Sequence, residues 1–101
     1  REYRYWDDRL NRSYQRLMAE ERAFDAEYGD LPGAASRAEA LRAMQRAWIP
    51  FRDAACDYAR SQWGGGTGGG PATHACLMHE TARQALRLER TLDAEAPGVG
   101  R

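Results

Sequence analysis

No lysine occurs among the 101 residues: all fifteen Lys-plus-Arg positions are arginine. Schiff-base chemistry, a lysine general base and the lysine of a phosphate-binding loop are thereby excluded. An excess of charge is missing too, because fifteen Asp plus Glu balance the arginines to a net charge of +0, which argues against a nucleic-acid partner. Long apolar runs are absent. The longest, Ala47 to Phe51, falls far short of the roughly 20 residues that a membrane-spanning helix needs. With 43% hydrophobic residues the chain is nevertheless too apolar for a disordered tail, and its length fits one soluble domain over 1–101. Its start at Arg1 rather than Met is compatible with a removed signal peptide, or with a lipid anchor on a removed amino terminus.

What is present is helical periodicity. Tyr3, Trp6, Leu10, Tyr14, Leu17, Phe24 and Tyr28 recur in steps of three, four or seven, predicting a first helix over about 3–28. Gly29 to Gly33 is a dense breaker cluster, and Ser36 three residues before Glu39 has the spacing of a capping box that opens a second helix. On that helix Leu41, Met44, Trp48, Phe51 and Ala55 form an apolar stripe beside a more polar one of Gln45, Trp48, Arg52 and Cys56. Pro50 either kinks the helix or splits it in two. Gly64 to Gly70, six glycines and one threonine, predicts a flexible connector. A third helix follows Pro71 and Thr73, its inner face carrying Leu77, Thr81, Ala85, Leu88 and Leu92, and 97–101 is expected to be a frayed tail. Three amphipathic helices with no alternating strand pattern predict an all-α three-helix bundle.

Two cysteines remain to be placed. Cys56 near the end of helix two and Cys76 near the start of helix three flank the glycine tract, and a disulfide between them would close a loop of about 20 residues, contributing roughly 3 kcal/mol. A disulfide places the protein in an oxidising compartment, such as the bacterial periplasm or the medium. The alternative is a zinc site of Cys56, His74, Cys76 and His79, but its ligands do not come as two close pairs. Other chemistry is weaker still. The glycine tract lacks the lysine and preceding strand of a phosphate loop, and of Ser13, Ser36 and Ser61 none has a legible base beside it. The expectation is a non-enzyme without metal or cofactor. Arg52 shares the inward stripe with Trp48 and Cys56 and so needs a partner; a network of Arg52 and Gln45 with Asp7, Asn11 and Tyr14 would tie helices one and two. A recognition patch is the other use of the same residues. Trp6, Trp48 and Trp63 read first as core, or as binding anchors where exposed.

The ordered strings now carry a resemblance. Asp7, Leu10, Asn11 and Tyr14, then Gln45, Arg46, Ala47, Trp48, Phe51, Arg52, Asp53 and Cys56, then Cys76, Thr81 and Arg83 resemble the LprI-like lysozyme-inhibitor domain family of bacterial envelope proteins, over roughly residues 7–92. The central block is the specific part. The resemblance implies a small helical, non-enzymatic, secreted or periplasmic domain with a Cys56–Cys76 disulfide. It also implies a protein partner: a lysozyme-type muramidase, or another envelope protein for which the chain is an interaction module or accessory subunit. Asp7, Asn11, Tyr14, Gln45, Arg46, Trp48, Arg52, Asp53, Thr81 and Arg83 are its candidate structural or recognition residues.

Overall fold

A computed structural model describes residues 2–95. It consists of three helices, α1 (Glu2–Tyr28), α2 (Arg37–Ser61) and α3 (Gly69–Glu95), with no strand among the described residues. The bundle is elongated, 56 × 27 × 20 Å, because each helix is about seven turns long and the turns between them are short. The expected frayed tail lies outside the described residues.

One continuous core holds the helices together. Leu10, Leu17 and Met18 of α1, Ala38 and Leu41 of α2, and Ala85, Leu88 and Leu92 of α3 are buried, with Trp6, Tyr14 and Trp48 packed on them. Helix α3 lies against both others, most extensively against α1. Truncating a fully buried leucine such as Leu17 or Leu88 in such a core typically costs about 2 to 5 kcal/mol. The stripes expected on α1 and α2 are only partly used. Phe24 and Tyr28 are exposed, because α1 runs on beyond the helices that would cover them, and they pack on each other instead, with Arg37 over the Phe24 ring. On α2 the more polar stripe is the inner one: Cys56 is 1% exposed, whereas Met44 and Phe51 lie on the outer flank.

Pro50 neither splits nor ends α2, which runs unbroken through it. Pro50 and Arg46 both face solvent, so the carbonyl left without its helical donor can be met by water. At the helix start, Ser36 accepts from the Glu39 N–H at 3.1 Å, which is half of the expected capping box. The other half is replaced from outside α2. Asp25, near the end of α1, accepts from the N–H groups of Arg37 (2.9 Å) and Ala38 (3.0 Å) and from the Ser36 hydroxyl (2.9 Å). A carboxylate on a helix N-terminus satisfies donors that the helix cannot and meets the positive end of its dipole. These bonds, first those from Ala38 and Arg37, hold the Asp25 carboxyl below its ordinary range.

The disulfide is present: Cys56 and Cys76 are bonded, with Cα atoms 5.5 Å apart. Cys76 sits two turns into α3 rather than at its start, since α3 begins as early as Gly69. Both sulfurs that a zinc site would need are therefore committed to each other.

Two outcomes follow from these anchors. A depressed folded-state pKa stabilises above the unfolded value and is lost as pH falls through the folded one. Asp25→Ala is thus expected to lower Tm at pH 7, with the gap to wild type narrowing below about pH 4, where the unfolded carboxyl takes up its proton; a pH-independent gap in thermal melts contradicts the cap. Replacing both cysteines by serine should cost roughly 2 to 5 kcal/mol in denaturant unfolding. Intact mass without reductant should be two hydrogens below that of the reduced chain.

Candidate functional site

The end of the molecule above the disulfide is a built structure rather than a loose connector. Backbone bonds step through it: Trp63 N–H to the Arg60 carbonyl at 3.0 Å, Gly66 N–H to that of Trp63 at 2.9 Å, and Ala72 N–H to that of Gly68 at 3.0 Å. The flexible linker expected from composition is therefore corrected: 62–68 is a chain of turns, and Gly69 and Gly70 are already helical. Specific glycines make this path passable. Gly64 has φ +55, a left-handed conformation that side chains disfavour, and a Cβ on Gly68 would run into the Trp63 ring. The tract thus lets an indole lie flat on backbone.

Side chains lock the same turn from below. Arg60 covers Gly69 and donates to the Thr73 hydroxyl at 3.2 Å, which in turn donates to the Gly69 carbonyl at 2.8 Å. Ser61 donates to the Tyr58 carbonyl at 2.6 Å. The outcome is a knob at one end of the bundle with two aromatic rings turned outward, Trp63 at 54% and Tyr58 at 71% exposure. Large rings on an ordered support lose little entropy on binding. The disulfide beneath ties both legs of the knob together.

A second polar feature was not legible in the sequence. Arg9 of α1 makes a two-pronged ion pair with Glu89 of α3 at 2.5 and 2.7 Å, and Ser13 adds a hydrogen bond to the same carboxylate at 3.3 Å. The Arg9 guanidinium also bonds the Tyr5 hydroxyl and lies over the Trp6 ring, 4.9 Å from its centre. The paired arginine pulls the Glu89 carboxyl below its ordinary range, with Ser13 adding to the effect and partial burial opposing it. Arg12, Arg16, Glu20 and Asp93 line the rest of this groove of about 530 Å³. Its charges largely answer one another, so it reads as a clamp between α1 and α3.

The residues singled out by the sequence divide into groups. Gln45 accepts from Gln84 of α3 at 2.9 Å, and Arg52 pairs with Asp53 at 2.9 Å while lying over Trp48. The expected network of these residues between helices one and two does not form: Asp7, Asn11 and Tyr14 make no side-chain hydrogen bond to α2 among the described residues, and Gln45 is tied to α3 instead. The reason is that α3 is interposed along the inner polar stripe of α2. Tyr14 packs on the core, Thr81 is fully buried, and Arg46 and Arg83 are exposed. No group of three or more His, Cys, Asp or Glu that could hold a metal occurs among the described residues.

The family model for the lysozyme inhibitor LprI matches residues 1–88. The chain belongs to this family. An uncharacterised protein of Rhizobium meliloti strain 1021 is 34% identical to it over 94 residues, covering 92% of this chain and 68% of that one. No solved structure matches. No helix among the described residues of this LprI-family chain is long and apolar enough to cross a membrane.

The knob can be probed through its own packing. Gly68→Ala should push the Trp63 ring off the turn, so that one of the three tryptophan indole N–H signals moves strongly in an NMR spectrum while the other two stay. Unchanged indole signals would show that the ring does not rest there.

Proposed function

We propose that this LprI-family protein is a non-enzymatic binding protein of the bacterial envelope or the secreted fraction that inhibits a lysozyme-type muramidase with the knob between α2 and α3. The observation that carries the reading is the Trp63 knob: an exposed indole seated on Gly68, with Tyr58 exposed in the last turn of α2, and a disulfide across its base. A rigid convex tip with an aromatic end has the shape to enter a concave enzyme cleft and exclude substrate. Membership of a lysozyme-inhibitor family supports a muramidase as the owner of that cleft.

Charge sets the terms of the interaction. With net charge +0 the chain has no field to steer a charged enzyme, so affinity must come from shape and apolar burial at the tip. That same neutrality favours one second reading, an interaction module for a different envelope-directed toxin or an accessory subunit. The disulfide suits an oxidising compartment under either reading.

The decisive measurement is the initial rate of cell-wall lysis by animal-type, goose-type and bacterial muramidases across a titration of oxidised protein, with the reduced and alkylated chain as control. Saturable inhibition by the oxidised form is expected, weakened about tenfold or more by Trp63→Ala as for a central aromatic anchor. No effect on any of the three enzymes overturns the inhibitor reading and leaves the interaction module.

A further inference from the structure

Met44, Phe51 and Tyr58 are 38%, 60% and 71% exposed, and they stand seven residues apart on α2. Ala40 precedes them and Ala47 and Ala54 fall between them, in steps of four and three, all three exposed. The six make a straight seam about 27 Å long, with the seven-residue repeat of a helix-pairing face. Among the described residues α2 meets α3 through its neighbouring stripe, by way of Gln45, Cys56 and the edge of Trp48, and the seam is left open beside it, with Arg87 of α3 next to Met44 and Phe51. Two large rings left this open on one face exceed the scatter of single apolar residues that a monomer surface carries.

We propose that this seam is the interface with a second copy of the chain, the two α2 helices lying antiparallel about a two-fold axis level with residue 49. The argument is the alternation of large and small side chains. Reversed and laid on itself, the seam sets Met44 against Ala54 of its partner, Ala47 against Phe51, and Ala40 against Tyr58; the two-fold axis then repeats each contact. Every large side chain meets an alanine. In a parallel pair Phe51 would oppose Phe51 and Ala47 would oppose Ala47, alternating collisions with gaps.

Alanine at every second seam position lets the helix axes approach to about 8 Å. Two seams of this length bury on the order of 1,000 Å² in total, the lower bound for a specific interface, so the dimer dissociates on dilution.

Sedimentation velocity from micromolar to millimolar concentration tests this on the full chain, independently of any lysis assay. A reversible monomer–dimer equilibrium is expected, weakened about tenfold or more by Phe51→Ala. Joining Ala47→Phe to Phe51→Ala should restore it, because the exchange keeps one large and one small side chain in each opposed pair. All these positions face solvent, so far-UV circular dichroism should be unchanged in every variant. A wild-type chain that stays monomeric to millimolar concentration overturns the proposal, and so does a double variant no tighter than Phe51→Ala.

Discussion

The Cys56–Cys76 bond is the constraint on which the arrangement of the other parts depends. It joins the last turns of α2 to the second turn of α3, and by drawing Cys56 inward it fixes the rotation of α2 about its own axis. Residues of α2 that share the cysteine's face, Gln45 and Arg52 among them, must then turn toward α3 or its edge, and Met44 and Phe51 must turn away. The same bond closes the base of the turn that carries Trp63. One crosslink thereby sets an inner face, an outer flank and a tip. For a domain of this size, whose core alone leaves a narrow stability margin, the roughly 3 kcal/mol that the crosslink contributes is a large share of the net stability.

The rest of the polar architecture divides the labour between the two ends of the bundle. Asp25 closes the turn between α1 and α2 by capping the second helix from the first, and Arg9 with Glu89 clamps α1 to α3 across the groove. Each joins elements that the disulfide does not reach. Neither is a catalytic arrangement on its own terms: the Asp25 oxygens are taken up by three donors, and the Glu89 carboxylate is held in its ionised form by the arginine it pairs with. Chemistry that needs a proton moved near neutral pH finds no poised group in either place.

Much of this was legible in the residue order, and what was not has physical reasons. The extents of α1 and α2, the breaker cluster between them, the Ser36 cap, the buried face of α3 and the cysteine pair all follow from local spacing or from resemblance, whereas α3 begins earlier than Pro71 suggested. Periodicity, however, assigns an apolar arc and not the part of it that a neighbour will cover. Met44 and Trp48 differ by about 40° around the helix, too little for pattern alone to rank them, and the crosslink decided between the stripes. Composition likewise read the glycine tract as entropy, whereas Gly64 and Gly68 are there because a backbone dihedral and an indole require them. The Arg9–Glu89 clamp joins positions 80 residues apart, and no local rule connects them.

The two apolar surfaces left over, the tip and the flank, lie on or beside one helix, and their geometry decides whether they compete. An antiparallel dimer about residue 49 sends the two Trp63 knobs to opposite ends, about 42 Å apart along the shared axis, so pairing leaves both free to engage separate partners. Tyr58 is the point of overlap, since it ends the seam and stands beside the knob. A partner whose footprint stops at Trp63 leaves the dimer equilibrium untouched. One that also covers Tyr58 removes a terminal contact from the seam, and by linkage dimerisation must then weaken the binding of that partner by the same factor.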